Sequence, residues 1–130
     1  MDLVKTEDFH FGKLEYFSCY VIGTINHKTV VNTEVAKSIL NAIKAHFGKN
    51  KVVYISNREL GHDVDLSVYK LIDPKKMVGI AIVSSQREEL IVSATMEQAH
   101  YKGSFGVFNT LESATSWAKS FIEDEEDTHC

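Results

Sequence analysis

The spacing of apolar residues changes period along the chain, and the changes mark out its elements. Phe9-His10-Phe11 and Leu14-Glu15-Tyr16-Phe17 flank Gly12-Lys13, a pattern that predicts two strands joined by a tight hairpin turn. The second strand continues through Ser18-Cys19-Tyr20-Val21-Ile22 to Gly23 with apolar groups on both faces, as in a strand covered on both sides. The period then lengthens to that of a helix. Val35, Ile39, Ile43 and Phe47 form one row with Ala36 and Leu40 beside it, while Lys37, Asn41 and Lys44 fall opposite. Asn32 or Thr33 can cap this helix, Glu34 suits its positive end, and Gly48 stops it.

Lys51 to Ser56 and Met77 to Ser84 are continuous apolar runs of the kind found in buried parallel strands. Between them lie a polar loop, Asn57 to Asp63, and a short helix from Asp65 to Ile72 that Asp63 or Asp65 would cap. Gln86 to His100 reads as a helix with Leu90, Ile91, Ala94 and Thr95 inward. Phe105, Val107 and Phe108 make a short fifth strand. Thr110 caps a last helix whose stripe is Leu111, Ala114, Ala118, Phe121 and Ile122. The order β-β-α-β-α-β-α-β-α predicts an α/β fold with a single mixed, mostly parallel five-stranded sheet, an antiparallel N-terminal hairpin and about four helices. It corresponds to one domain over residues 1–122, with 123–130 as an acidic, flexible tail.

Composition narrows the class. Apolar residues make up 44% of the 130 positions and charged residues 25%, an ordinary globular balance. No apolar run is long enough to span a bilayer, and the N-terminus lacks the basic and apolar regions of a secretory signal, so a cytoplasmic protein without stable membrane insertion is expected. The net charge of −4 comes largely from Glu123-Asp124-Glu125-Glu126-Asp127. The remaining body is close to neutral and carries no basic stripe, which argues against a nucleic-acid partner. Cys19 reads as a small core residue, and a disulfide with Cys130 is not expected. No catalytic, cofactor or metal motif occurs, so no cofactor and no enzymatic activity are expected.

The element order, the Gly23 to Asn32 connection before the first long helix, and the closing Phe108-Asn109-Thr110-Leu111-Glu112-Ser113-Ala114-Thr115-Ser116-Trp117-Ala118 run carry a resemblance. Over about residues 5 to 123 the chain resembles the SpoIIAA-like proteins, the STAS/Sec14-type domains, in a bacterial branch of roughly this length. The anti-sigma-factor antagonists of that family carry an Asp-Ser-Ser-Gly motif whose first serine is phosphorylated. The matching stretch here is Asp65-Leu66-Ser67-Val68, so Leu66 stands at the phosphoacceptor position and Ser67 one place later. The resemblance implies a non-enzymatic regulatory or protein-interaction module without that phosphoserine switch. Sec14-type relatives bind lipids, so it also admits a small apolar ligand.

The candidate site comes from the arginines. Arg58 and Arg87 are the only two, and each follows an apolar run and small polar residues: Ser56-Asn57-Arg58 and Ser84-Ser85-Gln86-Arg87. If both runs are parallel strands, both arginines leave the sheet at the edge where ligands dock in open α/β sheets. With the N–H groups of the helix that starts near Ser85, they would form an anion- or partner-binding patch of Ser56, Asn57, Arg58, Ser84, Ser85 and Arg87, with His62 beside it. The alternative is surface pairing of Arg58 with Glu59, Asp63 or Asp65, and of Arg87 with a neighbouring glutamate. The early aromatics Phe9, Phe11, Tyr16, Phe17 and Tyr20 read either as core or as an apolar groove or homodimer surface. A protein partner, a homodimer, or a small anionic or apolar ligand therefore all remain in view.

Overall fold

The computed structural model describes residues 3–26, 28–58, 63–85 and 87–123, with 87–93 and 121–123 described for the backbone only. The first three strands, β1 (Lys5–Phe9), β2 (Gly12–Tyr16) and β3 (Tyr20–Ile25), form an antiparallel meander. After them come β4 (Val30–Val31), α1 (Thr33–Phe47), β5 (Val52–Asn57), β6 (Asp63–Val64) and a 3₁₀ helix (Leu66–Leu71). The chain closes with β7 (Met77–Val83), α2 (Arg87–His100), β8 (Ser104–Phe108) and α3 (Leu111–Glu123).

The α/β class and the antiparallel N-terminal hairpin are as expected, but the main sheet has six strands, in the order β1-β2-β3-β5-β7-β8, instead of five. The extra strand arises because the run from Leu14 to Ile22 is cut. Phe17 N–H donates to Tyr20 O at 2.9 Å across Ser18 and Cys19, and the Phe17 and Tyr20 rings stack at 4.6 Å over this turn. The turn was hidden because its residues are small and Cys19 is fully buried. Cys19 is a core residue as expected, but it is disulfide-bonded, where no disulfide was expected; its partner lies outside the described residues.

The first turn is also displaced from the expected one. His10 and Phe11 make it, and Gly12 already pairs with Phe9. Gly12, at φ 152°, is needed for another reason: a Cβ there would lie 2.8 Å from Ile25 Cα on the neighbouring strand.

From β3 onward the strands are parallel, and one register row, Thr24-Asn57-Val83-Phe108, crosses all four near their C-terminal ends. A helical crossover joins each parallel pair. Asn32 caps α1, its side chain accepting the Val35 N–H at 3.0 Å, and Gly48 ends it at φ 61°. Ala36, Ile39, Ile43 and Phe47 of α1 are buried, as the 3.6-residue period requires. Together with the 3₁₀ helix, α1 covers one face of the sheet. On the other face, Ala114 and Ala118 of α3 pack on Val53, Ile55 and Ala81.

The early aromatics divide among these cores, with Phe11, Tyr16 and Tyr20 all buried. The inward face of α2 differs from expectation. Ala94 and Glu97 are buried and Thr95 is exposed, while Leu90 and Ile91 lie outside the described side chains. Residues 124–130, the acidic tail, also lie outside. Among the described residues no helix is long and apolar enough to cross a membrane.

Candidate functional site

Side chains alternate across a strand, so Tyr54, Ser56 and Arg58 project to the same face of β5 and its extension. That is the face under α1 and the 3₁₀ helix. Arg58 is held at the strand end by its own N–H, which donates to Val83 O at 2.9 Å, while Ser84 N–H donates to Phe108 O at 3.1 Å. The expected convergence of strand ends is therefore present: Ser56, Asn57, Arg58 and Ser84 share one edge. Ser56 and Ser84 are buried, Asn57 is half-buried with its amide donating to Thr24 Oγ1 at 3.4 Å, and Ser85 is exposed. Arg87 opens α2, but its side chain, like the whole of His62 and Glu59, lies outside the described residues.

Arg58 does not face solvent. Only 8% of it is exposed, and its guanidinium makes a two-pronged bond to Glu97 of α2, at 2.6 Å (Nη1 to Oε2) and 2.5 Å (Nη2 to Oε1). Its Nε donates to Ser56 Oγ at 3.1 Å. The Tyr69 hydroxyl, from the 3₁₀ helix, donates to Glu97 Oε1 at 2.5 Å. Neither Asp63 nor Asp65 is the partner. Both are exposed, and Asp65 instead caps the 3₁₀ helix, its carboxylate accepting the Ser67 N–H and hydroxyl at 3.0 and 2.9 Å. Those bonds hold the Asp65 carboxyl below the usual carboxylate range.

A buried ion pair joined by two bonds, with Ser56 on the guanidinium and Tyr69 on the carboxylate, is an arrangement in which charge is tolerated in a protein interior. Burial works against the Arg58 charge, but the bonds and the charge of Glu97 outweigh it, and its pKa is raised. Burial, and then the Glu97 charge, push the Tyr69 hydroxyl well above the ordinary tyrosine range, so it stays a donor. The cluster is thus a neutral, hydrogen-bonded plug that ties α2 and the 3₁₀ helix to the end of β5.

The plug forms one end of a cavity of about 60 Å³ between α1 and the sheet. Ala36 and Ile39 of α1, Val68 of the 3₁₀ helix, and Met77 and Ile80 of β7 make its walls apolar. Tyr54 lies along the same space with its hydroxyl over the Cα of Gly23, where any side chain would collide with the ring: a Cβ would sit 2.8 Å from Cζ. That hydroxyl makes no hydrogen bond among the described residues. Burial pushes its pKa up to about 12, with the Arg58 charge acting in the other direction. The chamber can therefore take up an apolar group.

Tyr54, Tyr69 and Glu97 were absent from the expected site. The alternation Tyr54-x-Ser56-x-Arg58 could have found the first. A charged Glu97 three residues after the inward Ala94, on the same helical stripe, could have found the last. Among the described residues no group of three His, Cys, Asp or Glu side chains is placed to hold a metal ion. Comparisons of the chain with protein-family models, with curated proteins and with solved structures return no match.

Proposed function

We propose that this domain is a non-enzymatic binding module that holds a small, mainly apolar molecule in the chamber between α1 and the sheet. The observation that carries the reading is the apolar cavity itself, walled by Ala36, Ile39, Val68, Met77 and Ile80 and closed at one end by the neutral plug. Ligand sites commonly combine apolar walls with a few placed polar groups. An anion at Arg58 is disfavoured, because it would have to displace Glu97 from a bidentate bond and leave that carboxylate buried without its partner. The SpoIIAA-like resemblance fits this reading as a regulatory module whose signal is chamber occupancy.

The test is a titration with 1-octanol followed by protein NMR, in the wild type and in an Ala36→Leu variant that fills the chamber. Shifts clustered at Tyr54, Val68 and Met77 in the wild type, and absent from the folded variant, are expected. No shifts in the wild type, or equal shifts in both proteins, would overturn the reading.

A further inference from the structure

A second space adjoins the chamber. It is an outer groove of about 350 Å³ between the C-terminal half of α1 and the segment leading into β7, and Leu40, Ile72 and Met77 line both spaces. These aliphatic side chains face both spaces, and leucine and methionine rotamers can shift to join them.

The spaces differ in character. The inner chamber is apolar, and Arg58, its one cation among the described residues, is neutralised by Glu97. Counting about 15 Å³ for each water-sized group, it takes about four such groups in a row. Among the described residues the outer groove is edged by Lys37, Lys44 and Lys76, all exposed, against the single carboxylate of Asp73. Asp73 already accepts the Lys75 N–H at 2.9 Å. Three ammonium groups outweigh that carboxylate and the partial negative charge at the end of α1. Leu71, one of the few large apolar side chains left exposed (40%), also lines this groove, so its wall is apolar where its edge is cationic.

We infer that the ligand is an acyl-chain carboxylate of about eight carbons, its tail in the chamber and its carboxylate among Lys37, Lys44 and Lys76. This rests on the reading of the chamber as a binding site and names the class of molecule it takes. The chamber accommodates roughly half of such a chain, and the groove holds the rest with the head at the lysine edge. A neutral tail end suits the neutral plug, since the Arg58 charge is already spoken for. The lysines then supply the discrimination between a carboxylate and a neutral head.

Calorimetric or NMR titration of octanoate and 1-octanol at neutral pH tests this, with the wild type and a Lys37→Gln, Lys44→Gln, Lys76→Gln triple variant. These lysines are exposed, so the variant keeps the fold. Octanoate should bind the wild type about tenfold more tightly than 1-octanol, as expected of several weak screened charge contacts acting together. The gap should close in the triple variant and shrink as salt is raised. Equal binding of the two compounds to the wild type, or a gap that survives in the triple variant, overturns the lysine head site while leaving the chamber reading standing. Failure of both compounds to bind the wild type removes both readings.

Discussion

Removing Glu97 is the sharpest test of how the site is held together. In the Glu97→Leu variant the guanidinium of Arg58 remains buried, with its Nε on Ser56 and, among the described residues, without its carboxylate partner. An uncompensated buried charge costs about 3–5 kcal/mol, a large share of the roughly 5–15 kcal/mol that holds a domain folded. Arg58→Met should cost a similar amount by orphaning the carboxylate, which would then retain only the Tyr69 hydroxyl.

The double variant Arg58→Met, Glu97→Leu removes both charges and fills their volume with apolar atoms. Its stability should return to within about 1–2 kcal/mol of the wild type or exceed it, because replacing a buried pair by hydrophobic groups is often neutral or stabilising. Urea unfolding followed by circular dichroism gives all four corners of the cycle, and the coupling energy should be at least about 3 kcal/mol. Tyr69→Phe provides a milder perturbation that keeps the protein folded, with an expected loss of about 1.5–3 kcal/mol for a hydrogen bond to a charged acceptor. Single variants that each lose less than about 1 kcal/mol, and whose effects simply add, would mean that the pair is screened as at a surface. The neutral plug would then be an incorrect description.

Alkaline stability and strand packing offer two further checks. Burial raises Tyr54 and Tyr101 to about 12, with the Asp73 charge contributing at Tyr101, whereas both ionise near 10 in an unfolded chain. The folded state therefore keeps protons that the unfolded state releases. Stability should be intact below pH 10 and decline as the pH rises toward 12. Tyr54→Phe should make that decline shallower in pH-dependent urea unfolding, and an unchanged slope would count against the buried phenol. Gly23→Ala should cost about 1–3 kcal/mol by forcing a Cβ against the Tyr54 ring. Most of that penalty should vanish in a Tyr54→Leu background, and a penalty that persists there would point to another cause.

The local signals proved legible wherever they were strong. The shift from a period of two to a period of 3.6 located α1, α3 and the two central strands. The Asn32 and Thr110 caps lie where capping chemistry placed them, with Thr110 Oγ1 accepting the Ser113 N–H at 3.1 Å. Asp65, one of two offered caps, was the one used. Where a turn carried no glycine, proline or asparagine, as at Ser18 and Cys19, periodicity ran straight through it and two strands read as one. The short pairing of Val30-Val31 with Asp63-Val64 was also invisible, since two-residue strands leave no periodic trace.

The site divides in the same way. By itself the sequence determined that Arg58 stands at the end of a buried parallel strand, on the same face as Tyr54 and Ser56. It did not place Glu97, for Leu90, Ile91, Ala94 and Thr95 were the residues it put inward on α2. Caps and periodicity act within a few residues, so neighbouring positions reveal them. What only the tertiary structure decided is that these two charges meet across 39 positions of sequence and neutralise each other beneath Tyr69. That outcome depends on how α2 and the 3₁₀ helix settle against the sheet. Burial removes the water that would otherwise have solvated each charge, so the arginine took the carboxylate enclosed with it and passed over Asp63 and Asp65, which are nearer in sequence.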